Sequence, residues 1–319
     1  MSTIRVPKIV PSPEEDSEKL REAFLNWGSN DALVISILAH RNEKQRKLIQ
    51  QAYNQKYGVD LLKTGERKLL IDQIRGFYKV PSDLSSFELA VLLCAFDRAE
   101  RDVFLFRKAS AREYDVMSAD PQEVPPITDS ELLLLTEIYY DEFKRKLLRP
   151  LMTLYRYEGP EVDIMLAESQ ANLLHEKILE KDYTHEKVIE ILTTGSRAQL
   201  RATLNCYARK FGNSINKDLK ANPNDTDLKM LRVCIKCQMY PERHFAKALW
   251  LAINIPEIDE ERLTNIITSR AEIDLQLIKK EYHRKYGAHL DRDIAEHTSG
   301  SHREILLALL GVGNAEELC

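Results

Sequence analysis

The pattern Tyr-x-x-Lys-aromatic-Gly recurs as Tyr53-Asn-Gln-Lys56-Tyr57-Gly58, Tyr207-Ala-Arg-Lys210-Phe211-Gly212 and Tyr282-His-Arg-Lys285-Tyr286-Gly287. A motif that returns along one chain restricts the fold to a stack of similar units. On a helix, aromatics four apart share a face, and a following glycine is the usual left-handed residue that ends the helix. Each copy therefore predicts a helix stopping at a turn. A fourth copy is placed at Tyr139-Tyr-Asp-Glu-Phe143, where the aromatic spacing survives and Lys and Gly do not. Four repeats follow, the second damaged.

Helical apolar patterns precede the motif at Leu33 to Leu38 and Leu263 to Ile267, ending in His40-Arg41 and Ser269-Arg270. Leu-rich stretches able to fill a repeat's centre lie at Phe87 to Phe96, Leu147 to Leu154, Leu228 to Cys237 and Ile305 to Leu310. With 11 Gly, 12 Pro and 30% charged residues, the composition favours helices over turn-rich β architectures. The reading is all-α, in segments 1–14, 15–98, 99–158, 159–240 and 241–319.

A net charge of -4 with both signs interspersed provides no global field to attract nucleic acid. Five cysteines and the absence of a charged, apolar, small-residue leader predict a reducing, cytosolic setting. The apolar stretches fall short of the roughly 20 residues of a membrane-spanning helix. No phosphate-binding, dinucleotide, nucleophile-elbow or His-Glu-x-x-His motif occurs, so the sequence gives no positive support for catalysis.

Several ordered pieces resemble the annexins: Ile35-Ser-Ile-Leu-Ala-His-Arg41 through Arg46, Tyr155-Arg-Tyr157-Glu-Gly159, Ile267-Thr-Ser-Arg-Ala-Glu-Ile-Asp-Leu275, and Thr298-Ser-Gly300 before Leu306 to Gly311. Trp27-Gly28, and Asp16 taken as the start of the first helix, resemble the plant branch. The resemblance implies a four-repeat annexin-like disc of about five helices per repeat, with repeat 2 degraded. It also implies binding to anionic phospholipid surfaces through calcium. A Gly-x-Gly-Thr loop after the first helix of a repeat donates carbonyls, and an acid about 40 residues later closes the site. Cytoskeletal and self-association partners are left open.

Measured against that scheme, repeat 1 offers Phe24-Leu-Asn26-Trp27-Gly28-Ser29. Asn26 replaces the first glycine and Ser29 the threonine. Asn enters the left-handed region readily and Ser keeps the hydroxyl. The closing acid is Asp83, in Ser82-Asp83-Leu84-Ser85-Ser86, with Ser86 in place of a family glycine. The expected metal residues are thus Phe24, Asn26, Gly28 and Asp83, for one weak calcium site and at most two in the chain. Ser29 and Trp27 are the expected membrane contacts, with packing between helices the other reading of Trp27.

Repeat 4 has Ile253-Asn-Ile-Pro-Glu-Ile-Asp-Glu260, without glycine, and His297 where the closing acid belongs. Proline and β-branched residues oppose carbonyl convergence, and imidazole is a poor calcium ligand, so that site reads as lost. Repeat 3, at Ile178 to Glu186, has no glycine, and Gly195 replaces its arginine. No calcium loop is expected there or in repeat 2.

From Gly58 to Asp83 the chain is about 15 residues longer than from Gly287 to His297, so repeat 1 carries an insertion within 61–79. It has Lys63, Arg67, Lys68, Arg75 and Lys79 around Leu69, Leu70, Ile74 and Phe77. Such a piece either lies on an anionic bilayer without calcium or packs as an extra helix. A calcium-independent scaffold is the alternative function. His40 matches a histidine for which the plant resemblance suggests peroxidase-like haem chemistry, although a lone His at a helix end is far more often structural. Cys234-Ile-Lys-Cys237 lies in a helical stretch and reads as core.

Overall fold

A computed structural model of the chain describes residues 1–25, 28, 30–58, 84–98, 101, 104–105, 159–220 and 225–313. The helices are α1 (Pro13–Leu25), α2 (Asp31–Leu38), α3 (Glu43–Tyr57), α4 (Ser86–Ala95), α5 (Ile164–Glu180), α6 (Glu186–Thr193), α7 (Arg197–Phe211), α8 (Ile215–Asp218), α9 (Thr226–Met239), α10 (Pro241–Ile253), α11 (Glu260–Arg270), α12 (Leu275–Tyr286), α13 (Leu290–His297) and α14 (Gly300–Leu309). Among the described residues there is no strand, and the all-α expectation holds. Residues 59–83, nearly all of 99–158, and Cys319 lie outside the described part, so the insertion and the second segment are not placed.

The described residues form two units, Met1–Phe104 with Glu242–Cys319, and Leu105–Pro241. In the first, α1 packs on α2 and α3, while α4 is surrounded by α2, α11 and α14. The sequence of α4 accounts for its place. Every residue from Glu88 to Ala95 is buried, and a helix apolar on all sides is stable only at a core's centre. Ser85 and Glu88 close its start with a reciprocal capping box. In the second unit α7 packs on α5, α8 and α9.

The recurring motif behaves as its spacing requires. Gly58, Gly212 and Gly287 all adopt positive φ, at 65°, 74° and 71°, and end α3, α7 and α12. Tyr53, Tyr207 and Tyr282 are all 0% exposed. Ring centroids lie 4.8 Å apart for Tyr53–Tyr57, 5.0 Å for Tyr207–Phe211 and 5.3 Å for Tyr282–Tyr286. A residue from the preceding long helix covers the second ring each time: Arg21 over Tyr57, His175 on Phe211 and Trp250 on Tyr286. One geometric position thus accepts a cation, an imidazole or an indole, because all three present a flat face to an aromatic ring.

The arginine before the first and the last motif is a buried pivot with a variable partner. Arg41 donates from Nε to Asp16 at 2.7 Å and from Nη2 at 3.1 Å. Its counterpart Arg270 turns instead to Asp274, at 2.8 and 2.5 Å, and lies over Phe245. Gly195 occupies the third position; four residues on, Gln199 donates to the Asp163 carbonyl, and Thr203 donates to Gln170. The expectation that Asp16 starts the first helix needs correcting. α1 begins at Pro13, a residue suited to a helix's first position, and Asp16 points inward as the arginine's counter-ion.

The N-terminal segment crosses the first unit and ties to its far half. The Met1 amine donates to the Ile273 carbonyl at 2.7 Å, Thr3 N–H to Ala271 at 2.8 Å, and the Thr3 hydroxyl to Leu309 at 2.6 Å. His40 belongs to this anchorage. Its ring is 3% exposed, and Nδ1 donates to the Arg5 carbonyl at 3.0 Å. Cys94, Cys206, Cys234 and Cys237 are buried, the last two within α9 as expected.

Candidate calcium loops and their surroundings

Among the expected metal residues, Phe24 lies half-buried in the last turn of α1, and Gly28 follows on an exposed turn. Asn26, Trp27, Ser29 and Asp83 lie outside the described residues. Gly28 has φ of 88°, and nothing lies within 4 Å of where a Cβ would stand. A backbone with that dihedral can turn its carbonyls outward, which a β-branched residue resists. On the other flank, Leu84 and Ser85 lead into α4 with Ser86 as its first residue. Ser86 is not among the described non-glycine residues of positive φ. Ser85 caps the helix that Ser86 begins.

The equivalent loop before α11 has its polar groups committed to local structure. Asp259 N–H donates to the Ala252 carbonyl at 3.0 Å, and its carboxylate accepts from Arg262 N–H at 2.9 Å as the cap of α11. Asn254 donates back to Trp250 at 2.9 Å. His297 is exposed and donates from Nδ1 to the Asp293 carbonyl at 2.8 Å. This donor set does not fit calcium, which requires converging oxygens.

After α5 the chain bends through a left-handed residue although no glycine is present. Lys181 has φ of 59°, and Asp182 N–H closes the turn on the Lys177 carbonyl at 3.0 Å. Sequence reasoning missed this bend because lysine rarely takes that conformation. The acids nearby are paired: the Lys177 ammonium lies 2.6 Å from Glu180 and 3.9 Å from Asp182.

Sequence reasoning also missed a polar cluster where four helix starts meet. Ser86 of α4 donates to Glu260 of α11 at 2.5 Å, and Ser301 of α14 donates to Asp31 of α2 at 2.6 Å. The two bonds are reciprocal: each joins a residue near the start of α2 or α11 to one near the start of α4 or α14. Beside them His302 is 6% exposed. The Ser85-x-x-Glu88 capping signal could have located one of these starts, but nothing local in the sequence reveals the cross-pairing.

Among the described residues, no helix is long and apolar enough to cross a membrane, and no group of three His, Cys, Asp or Glu side chains could hold a metal ion. A sequence model of the annexin family matches residues 15–64, 169–229 and 244–309. Annexin D2 of Arabidopsis thaliana is 43% identical over 332 residues, covering 99% of this chain and 100% of its own. Annexin Gh1 of Gossypium hirsutum is 42% identical, covering 97% and 99%. Among solved structures, annexin III aligns with a TM-score of 0.70 at 24% identity, covering 98% of both chains. Calcium-bound annexin (Sm)1 aligns with a TM-score of 0.68 at 18% identity, covering 98% of this chain and 93% of its own, so these two likenesses concern the fold. With relatives from plants matching almost end to end and the family model matching more than half of its residues, the chain belongs to the annexin family.

Proposed function

We propose that this chain binds anionic phospholipid surfaces peripherally, from the aqueous side, through a single calcium ion in the loop joining α1 to α2. In this reading the carbonyls of Phe24, Asn26 and Gly28 and the carboxylate of Asp83 hold the ion. Calcium accepts six to eight oxygens, so a short loop leaves positions that lipid phosphate oxygens can fill. Trp27 and Ser29 are the residues this reading assigns to contact with the headgroups. The observation that carries the reading is the exposed left-handed turn at Gly28, with nothing within 4 Å of where a Cβ would stand. The calcium-bound state named for annexin (Sm)1 supports the choice of ion. The committed groups around Asp259 and His297 argue that the loop before α11 makes no second site.

Co-sedimentation with phosphatidylserine vesicles tests this. Pelleting is expected with calcium, is lost on chelation, and is greatly reduced in Asp83→Ala. Pelleting indifferent both to calcium and to Asp83 would favour a calcium-independent scaffold, with the basic 61–79 segment as its contact.

A further inference from the structure

The cluster at the starts of α2, α4, α11 and α14 contains an unfilled hydrogen bond. The Thr264 hydroxyl donates its one proton to the Glu260 carbonyl at 2.8 Å. Its oxygen therefore accepts from His302 Nε2, also at 2.8 Å, and the neutral ring carries its hydrogen there. Nδ1 is left as a buried lone pair without a hydrogen-bond partner. It faces the Glu260 carboxylate, 3.7 Å from Oε2, the same oxygen that accepts from Ser86 at 2.5 Å. Two acceptors face each other with no proton between them.

The helices packed on α14 are α2, α4, α11 and α13. Their charged groups here are Asp31, Glu88, Glu260 and His297. Asp31 accepts from Ser301, Glu88 from Ser85 N–H, and His297 is turned to the Asp293 carbonyl. Glu260 is the group in reach of Nδ1. Arg303 and Glu304 follow on α14 itself. Burial holds the imidazole below its usual value while the Glu260 carboxylate pulls it upward.

We propose that His302 is a proton switch for the calcium loop of the first unit: on taking a proton at Nδ1 it draws Glu260 away from Ser86 and releases the hydrogen bond that ties the start of α4 to the start of α11. The exchange replaces a bond between the two halves of this unit with a pair inside its second half. Ser86 lies three residues after Asp83, and Ser301, next to His302, holds Asp31 three residues after Gly28. Both flanks of the calcium loop are therefore fastened to this cluster, and protons and calcium oppose each other there. The effect on calcium rests on the site proposed above; the competition for Glu260 does not.

The two parts separate experimentally. In an NMR titration of the full chain without calcium, Ser86→Ala should raise the His302 midpoint, because Glu260 is released to it. Glu260→Gln should lower it. A midpoint that either variant leaves in place overturns the competition. In calcium titrations of pelleting on phosphatidylserine vesicles, the parent should need more calcium at pH 5.5 than at pH 7.4, because protons and calcium are linked through the same ring. His302→Gln should keep its affinity across that range. If parent and variant weaken together, the link to the calcium loop is overturned. If calcium drives no pelleting at either pH, the calcium reading itself fails, and the two NMR midpoints still decide whether His302 competes for Glu260.

Discussion

Replacing Asp16 by Asn should be among the most damaging changes in this chain that conserve side-chain volume. The side chains of Asp16 and Arg41 are 2% and 5% exposed, and the carboxylate takes two guanidinium bonds at 2.7 and 3.1 Å. Asparagine keeps the shape, so no cavity forms, but it removes the counter-charge and can turn an amide donor toward another donor. Arg41 then keeps its bond to the His40 carbonyl, at 3.2 Å, and at most one bond to the neutral amide oxygen, with no counter-charge. Breaking a buried pair by removing one partner costs about 3–5 kcal/mol. For a unit of this size each kcal/mol shifts the melting temperature by about 2–4 °C, giving a fall of roughly 6–20 °C. Circular dichroism melts and urea midpoints measure it. The second half of the same unit suggests the rescue. There Arg270 has Phe245 where Arg41 has Asp16, and Asp274 where Arg41 has Gln45. Asp16→Phe combined with Gln45→Asp should recover at least half of the loss. A cost for Asp16→Asn below about 1 kcal/mol would refute the argument that this arginine depends on its buried partner.

Three further outcomes follow from particular contacts. Gly28→Val should raise the calcium needed for vesicle pelleting about tenfold, reflecting roughly 1–2 kcal/mol of left-handed strain, with helix content unchanged; equal calcium demand would sink the role given to that turn. In Gly311→Ala the new Cβ would stand 2.6 Å from the Thr3 carbonyl oxygen, so hydrogen exchange at the Thr3 and Gln276 amides should accelerate, and unchanged protection would show that the N-terminal segment does not depend on this close approach. Burial, with hydrogen bonds to Asp218 and Asp293, holds Tyr207 and Tyr282 protonated well above the ordinary phenol range. The unfolded chain ionises them near pH 10, so their stabilisation is full below about that pH and declines as pH rises beyond it. Urea midpoints between pH 8 and 11.5 should fall less steeply in Tyr207→Phe and Tyr282→Phe; slopes equal to the parent's would contradict the assignment.

The parts of the fold legible in the sequence are those fixed by local chemistry. Aromatic spacing and a following glycine determine a helix face and its end, and Tyr53, Tyr207 and Tyr282 are buried as that pattern requires. Composition favoured helices over turn-rich β architectures, and no strand occurs among the described residues. Long-range pairing was not legible, because the same arginine position takes Asp16 in one place and Asp274 in another, and either acid has a local explanation. The bend at Lys181 escaped because its neighbours' hydrogen bonds, rather than its own preference, impose the conformation. For the candidate site, the glycine turn was legible, whereas the fastening of its flanks by Ser301 and Glu260 was not. Those residues are distant in sequence from Gly28 and Asp83 and carry no motif.

The most direct measurement is a calcium-soaked crystal of the full chain with the ions located by anomalous scattering. One ion is predicted, on the carbonyls around Gly28 with Asp83 completing its shell. An ion at residues 253–260 instead, or none at millimolar calcium while vesicle pelleting still requires calcium, would contradict the account.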